Sequence, residues 1–188
     1  MKIIRELTGK RILDEKCVFT FGTFDGVHLG HQYLFHHVQK LKEERKRKAV
    51  ALTFSNHPIE ILCPEKMIRI LSPSKQKQEL IEKFGFDILI EIPFDERLKS
   101  MSADNFFEML LSSLSISEWV TGTDVTFGSD RKGNRAFILE HAKKFGIECH
   151  FLERFCVDSV PVSSSLIRKC LLDHEYALCE KYLGRSIQ

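Results

Sequence analysis

A chain of 188 residues that is 43% hydrophobic carries enough apolar side chains for one sizeable core, and its length predicts a single domain over residues 1–188. A formal net charge of +2 creates no demand for nucleic acid or an anionic membrane as partner. The first residues, Met1 to Leu7, lack the long apolar core of a signal peptide, and no apolar run approaches the ~20 residues of a membrane span, so a cytoplasmic protein is expected. Six cysteines, at 17, 63, 149, 156, 170 and 179, show no Cys-x-x-Cys pair and no zinc spacing; several lie in apolar runs, as small buried thiols of a reducing compartment do.

Taken in order, Cys17 to Phe21 is short, β-branched and aromatic, and predicts a buried strand. Gly22, Gly26 and Gly30 follow, and Leu34, Phe35, Val38 and Leu41 then recur at helical spacing. The basic run Lys40 to Lys48, interrupted by Glu43 and Glu44, falls at the end of that helix, where cations suit the dipole, and is read as a solvated terminus. Ala49 to Phe54 predicts a second strand, Ser74 to Phe84 a helix, and Phe86 to Ile92 a third strand stopped by Pro93. Ser102 is placed to cap a helix running to Leu114, with Phe106, Phe107, Leu110 and Leu114 on one side. Glu118 to Gly122 is a fourth strand, a helix spans about Asn134 to Phe145, Glu148 to Phe155 is a fifth strand, and short helices begin near Ser164 and Glu175. Strands separated by helices predict an α/β chain, a Rossmann-like doubly wound parallel sheet of about five strands with helices on both faces. Ligands of such sheets bind beyond the carboxyl ends of the strands, near a topological switch point. Neither a P-loop nor a Gly-x-Gly-x-x-Gly turn follows any strand.

The chemistry gathers at strand ends. His28 and His31 stand where the first strand gives way to a helix, beside unpaired N–H groups and the positive end of a helix dipole. Two imidazoles there can bond phosphate oxygens and balance charge as a leaving group forms. A lone His-x-x-His is as readily a solvent-facing pair; the strand and three glycines in front decide for phosphate. After the second strand, His57 is held extended by Pro58. After the fourth, Thr121 to Gly128 reads by itself as a glycine-rich turn with a capping aspartate. In Val162 to Arg168, a run of hydroxyls opens a helix and Arg168 shares a face with Ser164. A guanidinium there can clamp phosphates with two prongs, although a lone Ser-x-x-x-Arg is more often a cap and a surface arginine.

The stretch Phe24-Asp-Gly-Val-His-Leu-Gly-His31 resembles the signature of the FMN adenylyltransferase module of bacterial FAD synthetases, within the nucleotidylyltransferase superfamily. Val162-Ser-Ser-Ser-Leu-Ile-Arg168 resembles that family's Ser-Ser-Thr-x-Ile-Arg, with Ser165 in place of threonine. Asn56, His57 and Pro58 match its His-Pro loop, and Thr121 to Gly128 its Gly-x-Asp-Phe-x-Phe-Gly loop, with Val125 for the usual phenylalanine. The resemblance spans roughly residues 14 to 185.

It implies transfer of AMP from ATP to the FMN phosphate, giving FAD and pyrophosphate, with Mg²⁺. His28, His31 and Arg168 would be catalytic; Gly22, Phe24, Gly30, Asp124, Ser164 and Ser165 would join Arg168 along the nucleotide. Asn56, His57, Pro58, Leu62, Phe106 and Phe127 would border the flavin, with the metal ligands unknown. Family members usually continue into a riboflavin kinase barrel, whereas this sequence stops at Gln188. Either the adenylyltransferase stands alone and a separate riboflavin kinase supplies FMN, or this is a piece of a longer protein. The rivals are another nucleotidylyltransferase using CTP or a different phosphate acceptor, such as a cytidylyltransferase acting on a small phosphate ester, a non-catalytic flavin- or nucleotide-binding module, and a fragment of a class I aminoacyl-tRNA synthetase. The last lacks its Lys-Met-Ser-Lys-Ser loop.

Overall fold

This computed structural model describes residues 1–187. The strands are β1 (Lys2–Ile4), β2 (Leu13–Phe21), β3 (Lys48–Phe54), β4 (Ile88–Ile92), β5 (Leu114–Gly122), β6 (Glu148–Leu152), β7 (Cys156–Val157) and β8 (Val160–Pro161). The helices are α1 (Leu29–Arg45), α2 (Ile59–Leu62), α3 (Ser74–Lys83), α4 (Glu96–Ser100), α5 (Ala103–Ser113), α6 (Arg135–Phe145), α7 (Ser164–Leu172) and α8 (Tyr176–Leu183). Six strands pair in parallel in the order β1-β4-β3-β2-β5-β6, and β7 with β8 makes a separate antiparallel hairpin. The chain moves outward from β2 through β3 to β4, then returns to the other side of β2 for β5 and β6. That reversal makes the β2–β5 boundary the topological switch point, so the loops after these two strands lie side by side at the sheet's carboxyl edge.

Alternation along the central strands sorts the two faces. Cys17, Phe19, Val50 and Leu52 join the cluster formed with α5 and α6, while Val18, Ala49 and Ala51 join the one formed with α1 and α3. The predicted face of α1, Leu34, Phe35, Val38 and Leu41, is buried as its spacing required. Ser102 caps α5 by accepting the N–H of Asn105, and Asn134 caps α6 through Phe137. A third cluster joins α7 to α8 through Ile167, Cys170, Leu171, Cys179 and Leu183. Gln32 ties this cluster to the first loop, its Nε2 donating to the carbonyls of Val27 (2.9 Å) and Leu183 (2.8 Å).

The sheet gains an edge strand over the five expected, because β1 finds its partner only in distant β4. β2 and β5 begin earlier than their apolar runs do, and β6 ends at Leu152 rather than Phe155. There the chain turns into the β7–β8 hairpin, whose Asp158 and Ser159 both have positive φ (49° and 66°), the backbone a two-residue hairpin needs to match strand twist. All six cysteines are free thiols. Among the described residues no helix is long and apolar enough to cross a membrane.

Candidate active site

The loop from Gly22 to His28 leaves β2 under strain. Phe24 and Val27 have φ of 49° and 38°, a region that bulky and β-branched side chains avoid. Such backbone persists only where its surroundings over-determine it, and it concentrates at functional sites. Asp25 supplies that determination. Its buried carboxylate accepts the N–H groups of Leu71 (2.9 Å) and Ser72 (3.0 Å) and forms an ion pair with Arg168. Its carbonyl accepts the hydroxyl of Ser164 (2.9 Å), and the next amide, Gly26, donates to Ser72 Oγ (2.8 Å). Arg168 also donates from Nε to the Arg69 carbonyl (2.8 Å). One carboxylate therefore binds the first loop, the 69–72 segment and the start of α7. The α7 cap is Ser163, which accepts from Leu166; this frees Ser164 to reach the loop, while Ser165 is exposed.

His28 and His31 stack face to face with ring centroids 3.6 Å apart, and Phe24 meets His31 edge-on at 5.3 Å. The Nδ1 of His28 accepts the His31 N–H, capping α1, so in the neutral ring the proton sits on Nε2 as a donor. Gly30 makes this arrangement possible: a Cβ there would lie 3.1 Å from His28 Cε1 and 3.4 Å from the Val162 carbonyl. Gly22 gives room in a similar way, since a Cβ would fall 2.8 Å from the Phe24 ring, and its N–H is used by the Leu52 carbonyl. Burial pushes the His28 pKa down to about 4, against a partial upward pull from Asp25. Burial, then the neighbouring His28 and Lys77, holds His31 well below the ordinary imidazole range, and its enclosed Nδ1 has no partner among the described residues. In the free protein at neutral pH both rings are uncharged hydrogen-bonding groups.

A pH dependence follows. Unfolded imidazoles protonate near pH 6.5, whereas folded His28 resists protonation down to about pH 4. Between those values the unfolded chain binds more protons, so this stabilisation is complete above pH 6.5 and is lost as pH falls toward 4, by at most about 3 kcal/mol for His28. Partly buried His57 and His37, also shifted down, add to the loss with the same sign. The urea midpoint is expected to drop between pH 7 and pH 5, and H28Q/H31Q to flatten most of that slope.

Beside Asp25 opens a cavity of about 330 Å³ lined by Thr23, Asn56, His57, Ser72 and Lys77. His57 Nδ1 accepts the Ile59 N–H (3.2 Å), which leaves Nε2 as the donor; burial, then the Arg168 charge, lowers its pKa. Asn56 is paired in both directions with the Phe94 backbone, taking its N–H (2.8 Å) and donating to its carbonyl (3.0 Å), so it fixes the loop. Pro58 opens α2, and Leu62 at the end of that turn is half exposed (50%).

Across the switch point, the Thr121 to Gly128 loop places Asp124 at the surface in a pair with Arg154 (2.8 Å). Phe127 and Phe106 pack together at 5.2 Å, and each also meets Phe21. Phe106 is buried, and Phe127 is also walled by Trp119 and Phe137 and backed by Gly133, where a Cβ would strike its ring at 2.5 Å. These two aromatics thus build the core under the crevice. Among the described residues no group of three or more His, Cys, Asp or Glu side chains is arranged to hold a metal ion. Asp25, the carboxylate nearest the imidazoles in sequence, is already taken by Arg168 and two amides.

The FAD synthetase family profile matches residues 10–166, enclosing the strained loop, the imidazole pair and the start of α7. The chain belongs to this family. The bifunctional riboflavin kinase/FMN adenylyltransferase of Escherichia coli strain K12 is 30% identical over 186 residues, covering 98% of this chain and 59% of that protein. The protein of the same description from Haemophilus influenzae is 32% identical, with coverage of 98% and 60%. That from Bacillus subtilis is 30% identical over 172 residues, covering 90% and 54%. The chain thus spans about three fifths or less of the length of these relatives. A crystal structure described as a macrolide-efflux protein from Streptococcus pneumoniae superposes with a TM-score of 0.84 at 24% identity, over 100% of this chain and 61% of that one. It shares the fold.

Asp25, Ser72, Ser163 and Lys77 are site residues that motif reading did not single out. Asp25 and Ser163 lay inside quoted motifs, but Ser72 and Lys77 sit outside the catalytic motifs and join the site only through long-range contacts.

Proposed function

We propose that this domain, residues 1–188, is an FMN adenylyltransferase that transfers AMP from MgATP to the phosphate of FMN, releasing FAD and pyrophosphate, and that it acts in the cytoplasm. The observation that carries the reading is the stacked His28–His31 pair at the β2–β5 switch point, inside the segment matched by the FAD synthetase family. The FMN phosphate oxygen attacks the α-phosphorus in line as the bond to pyrophosphate breaks. A phosphate monoester is already largely ionised at neutral pH, so no strong base is needed and catalysis rests on positioning and charge stabilisation. Magnesium enters as part of MgATP, coordinated mainly by substrate oxygens, as that ion usually is in phosphoryl-transfer sites.

Neutral His28 donates from Nε2 to the phosphates, and with His31 stabilises charge as it builds on the leaving group. Arg168, held by Asp25, and Ser164 flank the departing pyrophosphate. The relatives' riboflavin kinase activity implies a source of FMN, either on the same polypeptide or as a separate enzyme.

The test is chromatographic: protein with MgATP and either FMN or riboflavin, the flavins separated and pyrophosphate assayed. FAD from FMN, and none from riboflavin, is expected. Absence of FAD while FMN still quenches on binding would instead indicate a binding module, and a product with CTP and a small phosphate ester would indicate a cytidylyltransferase. H31A should lower kcat at least tenfold; full activity with unchanged ATP affinity would remove the role given to His31.

A further inference from the structure

Lys77 is out of place by composition. It lies on α3, whose neighbours Lys75 and Glu79 are exposed, yet it is only 5% exposed itself. Its ammonium donates to the carbonyl of Phe54 at the end of β3 (2.5 Å) and, at longer range, to that of Thr23 in the first loop (3.4 Å). An ammonium has three N–H donors, so one remains. Among the described residues no carboxylate pairs with it. Of the charged and titratable groups around it, Asp25 is neutralised by Arg168 and two amides, and Glu91 is bonded to Arg5, Ser74 and Gln78. His31 and His57 carry lowered pKa values, and Glu60 is on the surface. A buried cation whose nearest carboxylates, Glu91 and Asp25, are engaged by other partners is costly, and an anion in contact with it would offset that cost.

The cavity beside it is furnished for one. Besides Lys77 it is lined by His57, whose Nε2 is a donor, and by Ser72, whose oxygen accepts from Gly26 and whose own proton has no acceptor among the described residues. Asp25 and Glu60 also line it, the first paired with Arg168 and the second on the surface; one ammonium and two neutral donors around the same cavity suit a phosphate monoester. We propose that Lys77 is the specificity determinant for the acceptor's phosphate, the charge by which the site takes FMN and refuses riboflavin. This rests on the proposed adenylyl transfer. It adds that the cation is positioned between the two substrate loops, so the acceptor phosphate and the strand ends share one anchor. Burial lowers the Lys77 pKa, and Glu91 and Asp25 resist that shift; a bound phosphate dianion would resist it further.

The experiment measures FMN and riboflavin binding by flavin fluorescence, with FAD formation in parallel. Wild-type protein should favour FMN, and K77Q, whose amide still has an N–H for the Phe54 carbonyl, should lose roughly 10- to 100-fold in FMN affinity with riboflavin affinity unchanged. The KM for ATP should move less than threefold, and a thermal melt checks the fold. K77R keeps the charge and should keep the preference for FMN. A folded K77Q that still prefers FMN as strongly as wild type overturns the assignment. So does a folded K77R that binds riboflavin but has lost all preference. Wild-type protein that binds neither flavin and makes no FAD removes the proposed function and this assignment with it. Wild-type activity with an unaltered K77Q removes the assignment alone.

Discussion

Replacing Asp25 with alanine is expected to destabilise the protein by about 3–5 kcal/mol, the usual consequence of stripping one partner from a buried ion pair. For a chain of this length that is a fall in melting temperature of roughly 6–20 °C. The loss has identifiable parts. Arg168 keeps a charge in a setting where its side chain is 16% exposed, and the amides of Leu71 and Ser72 lose their acceptor. Catalysis should fall further than stability, because the same carboxylate aims the guanidinium and holds the strained loop that carries His28. D25N keeps the shape and one amide acceptor without the charge, so its melting temperature should lie between wild type and D25A while its kcat stays near that of D25A. In the D25A/R168A double variant the stability losses should be clearly less than additive, since the pair is removed together. Additive losses would mean that the two side chains do not depend on each other.

Much of this architecture was legible because it is written locally. The apolar run ending at Phe21, the glycines behind it and the spacing of Leu34, Phe35, Val38 and Leu41 specify a strand, a turn and a helix without help from distant residues. The family motifs sit on those junctions, and the match over residues 10–166 agrees with them. What escaped depends on partners far along the chain. β1 is three residues long and is a strand only because β4 accepts it. The β7–β8 hairpin turns on Asp158 and Ser159 rather than on the Asn-Gly pair that would have signalled it.

The site shows the same division. Asp25 was visible as a letter in a motif, but its work is done on Leu71, Ser72 and Arg168, and no spacing rule connects those positions. Lys77 looks like one more polar residue on an exposed helix until β3 and the first loop close over it. Phe106 and Phe127 show the converse. The family resemblance marked them for a flavin, whereas their packing role, a mutual cluster with Phe21 under the crevice, became visible only in the fold.

His28→Ala is expected to reduce kcat by roughly 10²- to 10³-fold, the range found when one preorganised donor to a transition state is removed. The side chain has two separable jobs. Through Nδ1 it caps α1 by accepting the His31 N–H, and through Nε2 it offers a donor to substrate. Loss of the cap alone should cost about 0.5–2 kcal/mol. H28N distinguishes the jobs, since asparagine is among the strongest capping residues but cannot place a donor where the imidazole Nε2 lies. H28N should therefore recover most of the stability lost in H28A and little of the rate. The pH behaviour supplies an independent check. Because His28 is neutral down to about pH 4 in the free protein, its donor function should not require a protonated ring, and kcat/KM should show no decline assignable to His28 deprotonation between pH 6 and 8. An H28N variant that regains wild-type rate along with wild-type stability would mean that the imidazole serves only as a cap, and the stabilisation of the leaving group would then have to come from His31 and Arg168.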